Sequence, residues 1–237
     1  MCVAAIAWDA HPRWKLIAIG NRDEFHARPT APLAQWDNGI IAGRDLEAGG
    51  TWLGIAPGRF ALVTNYRVDG YPQPHLASRG SLVTNWLLDQ DLGDLAGMNP
   101  FHLFAAGPGG AAHLSNYPSP LRTPLEPGIH GLSNGGFERR WGKTQRLEAA
   151  LAEWLNASND PDQLFTPLAD RTLDGATDPE GPSAEFSSVF ISNPLYGTRC
   201  STVIAVDRDG QGTIAERRFA SDGSESGRSS IGFDWDG

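Results

Sequence analysis

The residue with the clearest chemical potential is Cys2, which follows the initiator methionine. Removal of Met1, which a small second residue permits, leaves Cys2 with both a thiol and a free α-amine. An α-amine with a reference pKa of about 7.7 to 8.0 is a base near neutral pH, beside a thiol near 8.5. One residue then carries both the nucleophile and its base, an N-terminal form of activated-nucleophile catalysis. The alternative is that Cys2 is a small buried apolar residue at the start of a strand.

Two polar clusters lie near this cysteine in the sequence. The first is Asn-Arg-Asp-Glu at 21–24, and the second is Gly-Arg-Asp-Leu-Glu at 43–47, which contains Arg44 and Asp45. Asn and Asp are also common in β-turns, so a turn is the alternative interpretation of the first cluster. Because the same charge density occurs twice, we expect the clusters to share a site.

Three other motifs carry little weight. Gly131-Leu-Ser-Asn-Gly135 has the pattern of a serine-hydrolase elbow, but all six histidines precede Ser133, whereas that fold places its histidine later. Gly142-Lys-Thr144 lacks the glycine spacing of a phosphate loop. The histidines are scattered without ligand spacing, so we predict no metal site.

The elements that must position these residues are mostly strands. Apolar runs at 3–8 and 14–19 predict an opening hairpin whose second strand ends at residues 20–24. Helical spacing predicts one helix after a Ser78 or Ser81 cap and a clear amphipathic helix over 138–155. Further strands are predicted around 40–42, 51–55, 60–64, 101–106, 111–115, 187–192, 200–207 and 213–219. Strands occur at both ends of the chain and do not alternate regularly with helices, which favours an α+β fold with largely antiparallel sheets.

Composition bounds the protein further. The formal net charge of −9 gives no basic face for nucleic acid, and no apolar run is long enough for a membrane span. Two cysteines are too few for a disulfide framework and are compatible with a reducing compartment, so we expect a cytoplasmic protein. We predict a single domain over residues 1–237, with a loose Ser/Gly-rich tail from about residue 221. The oligomeric state is left open.

The sequence resembles the Transport and Golgi organisation protein 2 family, also called the NRDE family, over nearly its whole length. The resemblance rests on blocks in the same order: Met-Cys at 1–2, Asn-Arg-Asp-Glu-Phe at 21–25, Ala-Arg-Pro at 27–29, the 42–54 block that ends in Thr-Trp52-Leu-Gly, and the blocks at 62–67, 78–80, 128–134 and 196–203. The family is similar to N-terminal nucleophile hydrolases of the bile-salt hydrolase and penicillin acylase type. That similarity implies a four-layer αββα sandwich of two mainly antiparallel sheets.

The resemblance also implies roles for individual residues. Cys2 matches the nucleophile, and the catalytic set comprises Cys2, Asn21, Arg22, Asp23, Asn134 and Arg199. The hydrolases carry an arginine where this chain has Gly20, so whether Arg22 substitutes is open. Asn65 is a weaker match, and with Arg44, Asp45 and Trp52 it forms the expected substrate-binding set. The implied reaction is attack on an amide or thioester carbonyl of a small acyl substrate, as in a cysteine amidohydrolase.

The alternative function is a non-enzymatic carrier on the same scaffold. The resemblance implies, for eukaryotic members, a role in haem trafficking and in lipid or Golgi homeostasis. Fold analogy is a weak argument for chemistry, so both functions remain open at this stage. We expect no resident cofactor; haem as a carried ligand would be held by Cys2, His26 or His102.

Overall fold

The structure, a computed structural model, describes residues 2–157, 160–174 and 181–236. Its backbone divides into two compact units. The first comprises residues Met1–Ala27 and Pro127–Phe233, and the second comprises Arg28–Glu126 and Asp234–Gly237. The sequence had predicted one domain, because no long linker separates two cores. The chain passes from one unit to the other without a long linker, and the single domain over residues 1–237 stays a prediction.

The first unit is built on a six-stranded sheet whose order is β10-β1-β2-β11-β12-β13. The opening hairpin is confirmed, and β1 pairs with β10 on its other edge. The bounds of these strands are β1 Val3–Trp8, β2 Trp14–Phe25, β10 Gly128–Leu132, β11 Tyr196–Asp207, β12 Gln211–Phe219 and β13 Glu225–Asp234. β1 pairs antiparallel with β10 and with β2, and β11 pairs antiparallel with β2 and with β12.

One face of this sheet is covered by helices α2 (Gly142–Ala157) and α3 (Phe165–Leu168). Alternate residues of β1, β2 and β11 point towards these helices and form a buried core with them. Gly131 in β10 permits close approach, because a Cβ there would lie 2.4 Å from Cγ2 of Thr144 in α2. Helix α2 therefore lies directly over the edge of the sheet that contains β10 and β1.

The second unit contains a seven-stranded sheet in which the strands follow chain order from β3 to β9. Helix α1 (Gly80–Leu87) packs its buried residues Leu82, Val83 and Leu87 into this unit's core. The strand bounds are β3 Thr30–Gln35, β4 Ile41–Asp45, β5 Leu53–Ala56, β6 Arg59–Asn65, β7 Phe101–Gly107, β8 Gly110–Ser115 and β9 Leu121–Leu125. All the pairings are antiparallel.

Three local predictions were wrong. Strand β2 continues to Phe25, so residues 21–24 belong to a strand and not to its exit or a turn. The tail after residue 221 is not loose, since residues 225–234 form β13 beside β12. Residues 187–192 form no strand beyond one isolated bridge at Ser192. Helix α1 has Arg79 at its N-cap position, and the Ser78 hydroxyl accepts a long hydrogen bond of 3.4 Å from the Gly80 N–H at the start of the helix.

The α+β class with two mainly antiparallel sheets is confirmed. Over the described ranges, the helices are too short or too polar to cross a lipid bilayer. The amphipathic helix predicted over 138–155 is present, but it begins at Gly142 because residues 133–141 form the turns that lead into it.

Candidate active site

The site begins where β1 begins. Val3 pairs with Asn21 across the β1–β2 hairpin, so Cys2, one residue earlier, lies alongside Arg22. Cys2 is partly exposed and is not in a disulfide. Met1 lies outside the described residues. The prediction that a free α-amine on Cys2 acts as base depends on removal of Met1, so it also concerns a part of the chain outside the described residues. The hairpin register alone brings the cysteine and the Asn-Arg-Asp-Glu cluster together.

Asn21 lies in the sheet interior and is completely buried. Its Nδ2 group donates to the carbonyls of Leu168 and Val189, at 2.8 and 2.9 Å, and its Oδ1 accepts from the Ser201 hydroxyl at 2.6 Å. These bonds connect β2 to α3, to the segment before β11 and to β11 itself. The Asn21 side chain therefore fixes the position of the strand end that carries Arg22 and Asp23.

Asp23 is two residues further along β2 and points to the same helix-covered face, since side chains alternate along a strand. It is 3% exposed. The Thr198 hydroxyl donates to its Oδ1 at 2.7 Å, and the Tyr196 hydroxyl donates to its backbone carbonyl, also at 2.7 Å. Burial raises the pKa of Asp23 to about 6, although Lys143, Thr198 and Arg22 act to lower it. At neutral pH most Asp23 side chains are carboxylates.

The two cysteines differ in surroundings. Burial raises the pKa of the Cys2 thiol, and the Asp23 carboxylate adds to this rise, while the Asp23 backbone N–H and the Arg22 guanidinium lower it. Burial and Glu216 raise the pKa of the Cys200 thiol well above its ordinary value. Cys200 is 7% exposed inside β11, so Cys2 is the more exposed of the two residues.

Arg22 and Arg199 occupy the junction of β2 and β11. Arg22 pairs with Cys200 across the strands and lies 3.7 Å from Glu24. Between the pairs Thr198–Asp23 and Cys200–Arg22 the register shifts by one residue, and Arg199 is the extra residue of this β-bulge. Its Nη1 donates to the carbonyls of Phe25 and His26, at 2.9 and 3.0 Å. Arg199 thereby holds the end of β2.

Asn134 follows β10 at the same end of the sheet. Leu132, the last residue of β10, pairs with Ala4 of β1, so the segment after it runs towards Cys2. Asn134 is 1% exposed. This segment then turns into α2, and Gly135 allows the turn because a Cβ there would meet the indole of Trp141 at 2.4 Å.

Sequence reasoning missed Lys143, in the first turn of α2. Its side chain is completely buried. Burial lowers the pKa of its amine, while Asp23 and Cys2 are among the groups that raise it, which places Lys143 in the same electrostatic surroundings as the proposed nucleophile. The available signal was periodicity, because Lys143 shares the i, i+4 spacing of the buried residues Leu147 and Leu151.

The four residues of the expected substrate-binding set lie in the second unit. Asp45 forms an ion pair of 2.7 Å with Arg28 and accepts two backbone N–H groups of its own turn, at Glu47 and Ala48. Arg44 donates to the Gly49 carbonyl and stacks over Trp36 at 4.7 Å. Trp52 packs against the core, and Asn65 is exposed at the end of β6. Their role in substrate binding stays a prediction.

The histidines considered as haem ligands are engaged in other contacts. Nε2 of His26 is 2.9 Å from the Asn193 carbonyl. His102 is 3% exposed, its Nδ1 is 3.0 Å from Nε2 of His113, and its ring stacks on Tyr66 at 4.4 Å. Among the residues that the structure describes, no group of three His, Cys, Asp or Glu side chains could hold a metal ion.

A solved structure with the same fold identifies the structural class. The Caenorhabditis elegans N-acylethanolamine-hydrolyzing acid amidase ortholog matches with a TM-score of 0.53 over 86% of this chain and 92% of that chain, at 13% sequence identity. This chain therefore shares the fold of that protein, and its two mainly antiparallel sheets are those expected from the sequence resemblance. At this level of identity the likeness concerns the fold alone.

The family follows from the sequence relatives. The family model of Transport and Golgi organisation 2 matches residues 1–221. The human Transport and Golgi organization protein 2 homolog is 33% identical over 92% of both chains, and the Drosophila melanogaster protein is 30% identical over 88% of this chain and 89% of that one. The chain belongs to the Transport and Golgi organisation 2 family.

Proposed function

We propose that the protein is a cysteine amidohydrolase in which Cys2 attacks the amide or thioester carbonyl of a small acyl substrate. The observation that carries this proposal is the position of Cys2 beside the buried Asp23, on a fold shared with a solved amidase. Free thiols in both cysteines are consistent with work in a reducing compartment such as the cytoplasm.

In the first half of the reaction the Cys2 sulfur gives up its proton and attacks the carbonyl carbon, and the π electrons of the carbonyl move onto its oxygen. The Asn134 amide donates to this oxyanion. Collapse of the tetrahedral intermediate breaks the C–N bond, and the leaving amine takes the proton that the thiol released. In the second half, water attacks the resulting thioester and regenerates the thiol.

The other residues of the site have supporting roles. Since burial raises the pKa of the Cys2 thiol, a base is needed to form the thiolate. We assign this step to the α-amine of Cys2 itself, freed by removal of Met1 and oriented by Asp23. Arg22 favours the thiolate through its positive charge. Asn21 and Arg199 act as positioning residues, because their observed hydrogen bonds fix the ends of β2.

The contacts of His102 argue against a role for this residue as a haem ligand in the carrier alternative. Iron coordination through Nδ1 of His102 would require the buried pair with His113 to separate. A titration of the protein with haem, followed by the Soret band, tests this alternative directly. A shift that disappears in Cys2→Ala, His26→Ala or His102→Ala supports it, and the absence of a shift contradicts it.

The test of the proposed function uses fluorogenic N-acyl amides and acyl thioesters of increasing chain length. Turnover with the native protein, an acyl adduct on Cys2 in the intact mass, and loss of both in Cys2→Ala are the expected results. Cys200→Ala is the matched control and keeps the activity. Equal hydrolysis by Cys2→Ala and the native protein contradicts the proposal. The same mass measurement reports whether Met1 has been removed.

A further inference from the structure

Lys143 is one of only two lysines in the chain, and the site chemistry described so far does not use it. It is 0% exposed, and its Nζ makes no hydrogen bond to the described residues. The centroid of the Trp141 ring lies 5.9 Å from Nζ. A buried ammonium group without hydrogen bonds is costly, so it requires compensating charge nearby.

Four groups act electrostatically on this amine, three from other parts of the chain and one from α2 itself. Burial lowers the pKa of the Lys143 amine, and Arg146, one turn later on α2, lowers it too. The pKa is raised by three groups: Asp23 from β2, Cys2 before β1 and Asp174 from the segment after α3. Asp174 already forms an ion pair with Arg146. Asp23 has the largest favourable effect on Lys143, and after burial Lys143 has the largest effect on the pKa of Asp23.

The topology explains this proximity. Strand β10 ends beside the start of β1, and the chain turns at residues 133–141 and returns over β10 and β1 as α2. The close contact of Gly131 with Thr144 fixes the first turn of α2 above the sheet. Lys143 is therefore held over the same sheet end that carries Cys2 and Asp23.

We propose that Lys143 is a positioning residue for the candidate nucleophile that acts through Asp23: its ammonium group keeps Asp23 ionised beside Cys2 at neutral pH. The charges of Lys143 and Asp23 offset one another, without a hydrogen bond from Nζ to the part of the chain that the structure describes, in buried surroundings that disfavour either charge alone. The proposal rests on the proposed function only for its effect on turnover, because coupling between the two side chains is measurable without substrate.

The first experiment follows the lysine amine directly. With lysine labelled at ¹³Cε the chain gives two NMR signals, which Lys15→Met and Lys143→Met assign. Burial lowers the pKa of Lys143 below the ordinary lysine value of about 10.4. The proposal requires the amine to be charged at pH 7 and its titration midpoint to move to lower pH in Asp23→Asn. A Lys143 signal that is neutral at pH 7, or whose midpoint is unchanged in Asp23→Asn, overturns the proposal.

The second experiment is a double-mutant cycle in stability at pH 7. Lys143→Met leaves a buried carboxylate without its counter-charge and is expected to lower the urea midpoint strongly. Asp23→Asn combined with Lys143→Met removes both charges, so the double variant is expected to recover much of that loss. Strictly additive losses contradict the pairing. Lys15→Met, at the other end of β2, is the matched control.

The third measurement concerns turnover. In Lys143→Met we expect kcat to fall at least tenfold with little change in KM, and the acid limb of the pH profile to move to higher pH as Asp23 becomes harder to ionise. An unmoved acid limb in an active Lys143→Met protein contradicts the proposal. If no acyl substrate is hydrolysed, the proposed function fails, while the NMR and stability experiments still decide the pairing.

Discussion

The Thr198 hydroxyl donates a 2.7 Å hydrogen bond to Oδ1 of Asp23 and accepts a 2.9 Å bond from the Ile191 N–H. One hydroxyl thus connects β2, β11 and the segment that precedes β11. Because Asp23 is buried, this bond helps to keep its carboxyl group ionised, and the β-bulge at Arg199 brings Thr198 opposite Asp23.

Thr198→Val removes this hydroxyl while it preserves the side-chain shape. We expect a loss of about 1–3 kcal/mol in the free energy of unfolding, since a buried carboxylate loses a donor. The pKa of Asp23 is expected to rise above its present value. Urea unfolding measures the first effect, with Thr213→Val, an exposed threonine on β12, as control. Equal stability of the two variants would show that the bond contributes nothing.

The raised pKa of Asp23 predicts that the free energy of unfolding depends on pH. Its folded pKa of about 6 lies above the unfolded value, so the folded protein binds more protons between about pH 4 and 6, and this contribution to stability increases as pH falls. From pH 7 to pH 5 the gain is about 1 kcal/mol. Urea unfolding at both pH values should show this gain in the native protein relative to Asp23→Asn. The opposite sign would mean that Asp23 is stabilised as a carboxylate.

The lowered pKa of His113 predicts the opposite dependence of stability on pH. Burial, followed by the neighbouring His102, lowers its pKa to about 3, so the unfolded chain binds more protons and stability falls as pH drops below about 6.5. From pH 7 to pH 5 the loss is about 2 kcal/mol. His113→Gln should lack this loss, whereas His75→Gln, at an exposed position, should retain it. Identical acid sensitivity in His113→Gln and the native protein would refute this assignment.

Gly131→Ala tests the close approach of α2 to β10. The added methyl group would meet Thr144 at 2.4 Å, so the helix must shift, and we expect a loss of about 1–3 kcal/mol in stability. Because Lys143 precedes Thr144, the shift should also move the Lys143 NMR signal. Gly109→Ala has no atoms within 4 Å of the added group and is the control. A Gly131→Ala protein as stable as this control would mean that the helix adapts freely.

Local patterns were sufficient for many elements. The opening hairpin, the hairpin of β7 and β8 and the amphipathic helix follow from apolar periodicity, which reports burial of one face. Strand β13 escaped prediction because its residues are only partly buried or exposed, so alternation of apolar side chains is weak there. Its strand structure comes from hydrogen bonding to β12, which no local pattern records.

For the candidate site, too, part was visible in the sequence and part depended on the tertiary structure. The sequence by itself determined the residue types, since Cys2 at the chain start and the Asn-Arg-Asp-Glu cluster are visible in it, and family resemblance indicated their chemistry. Only the tertiary structure decided that Asn21 meets Ser201, 180 residues away, and that Lys143 is buried close enough to Asp23 for their charges to interact. Strand register, a one-residue bulge and helix packing set these distances, and all three depend on contacts between segments remote in sequence.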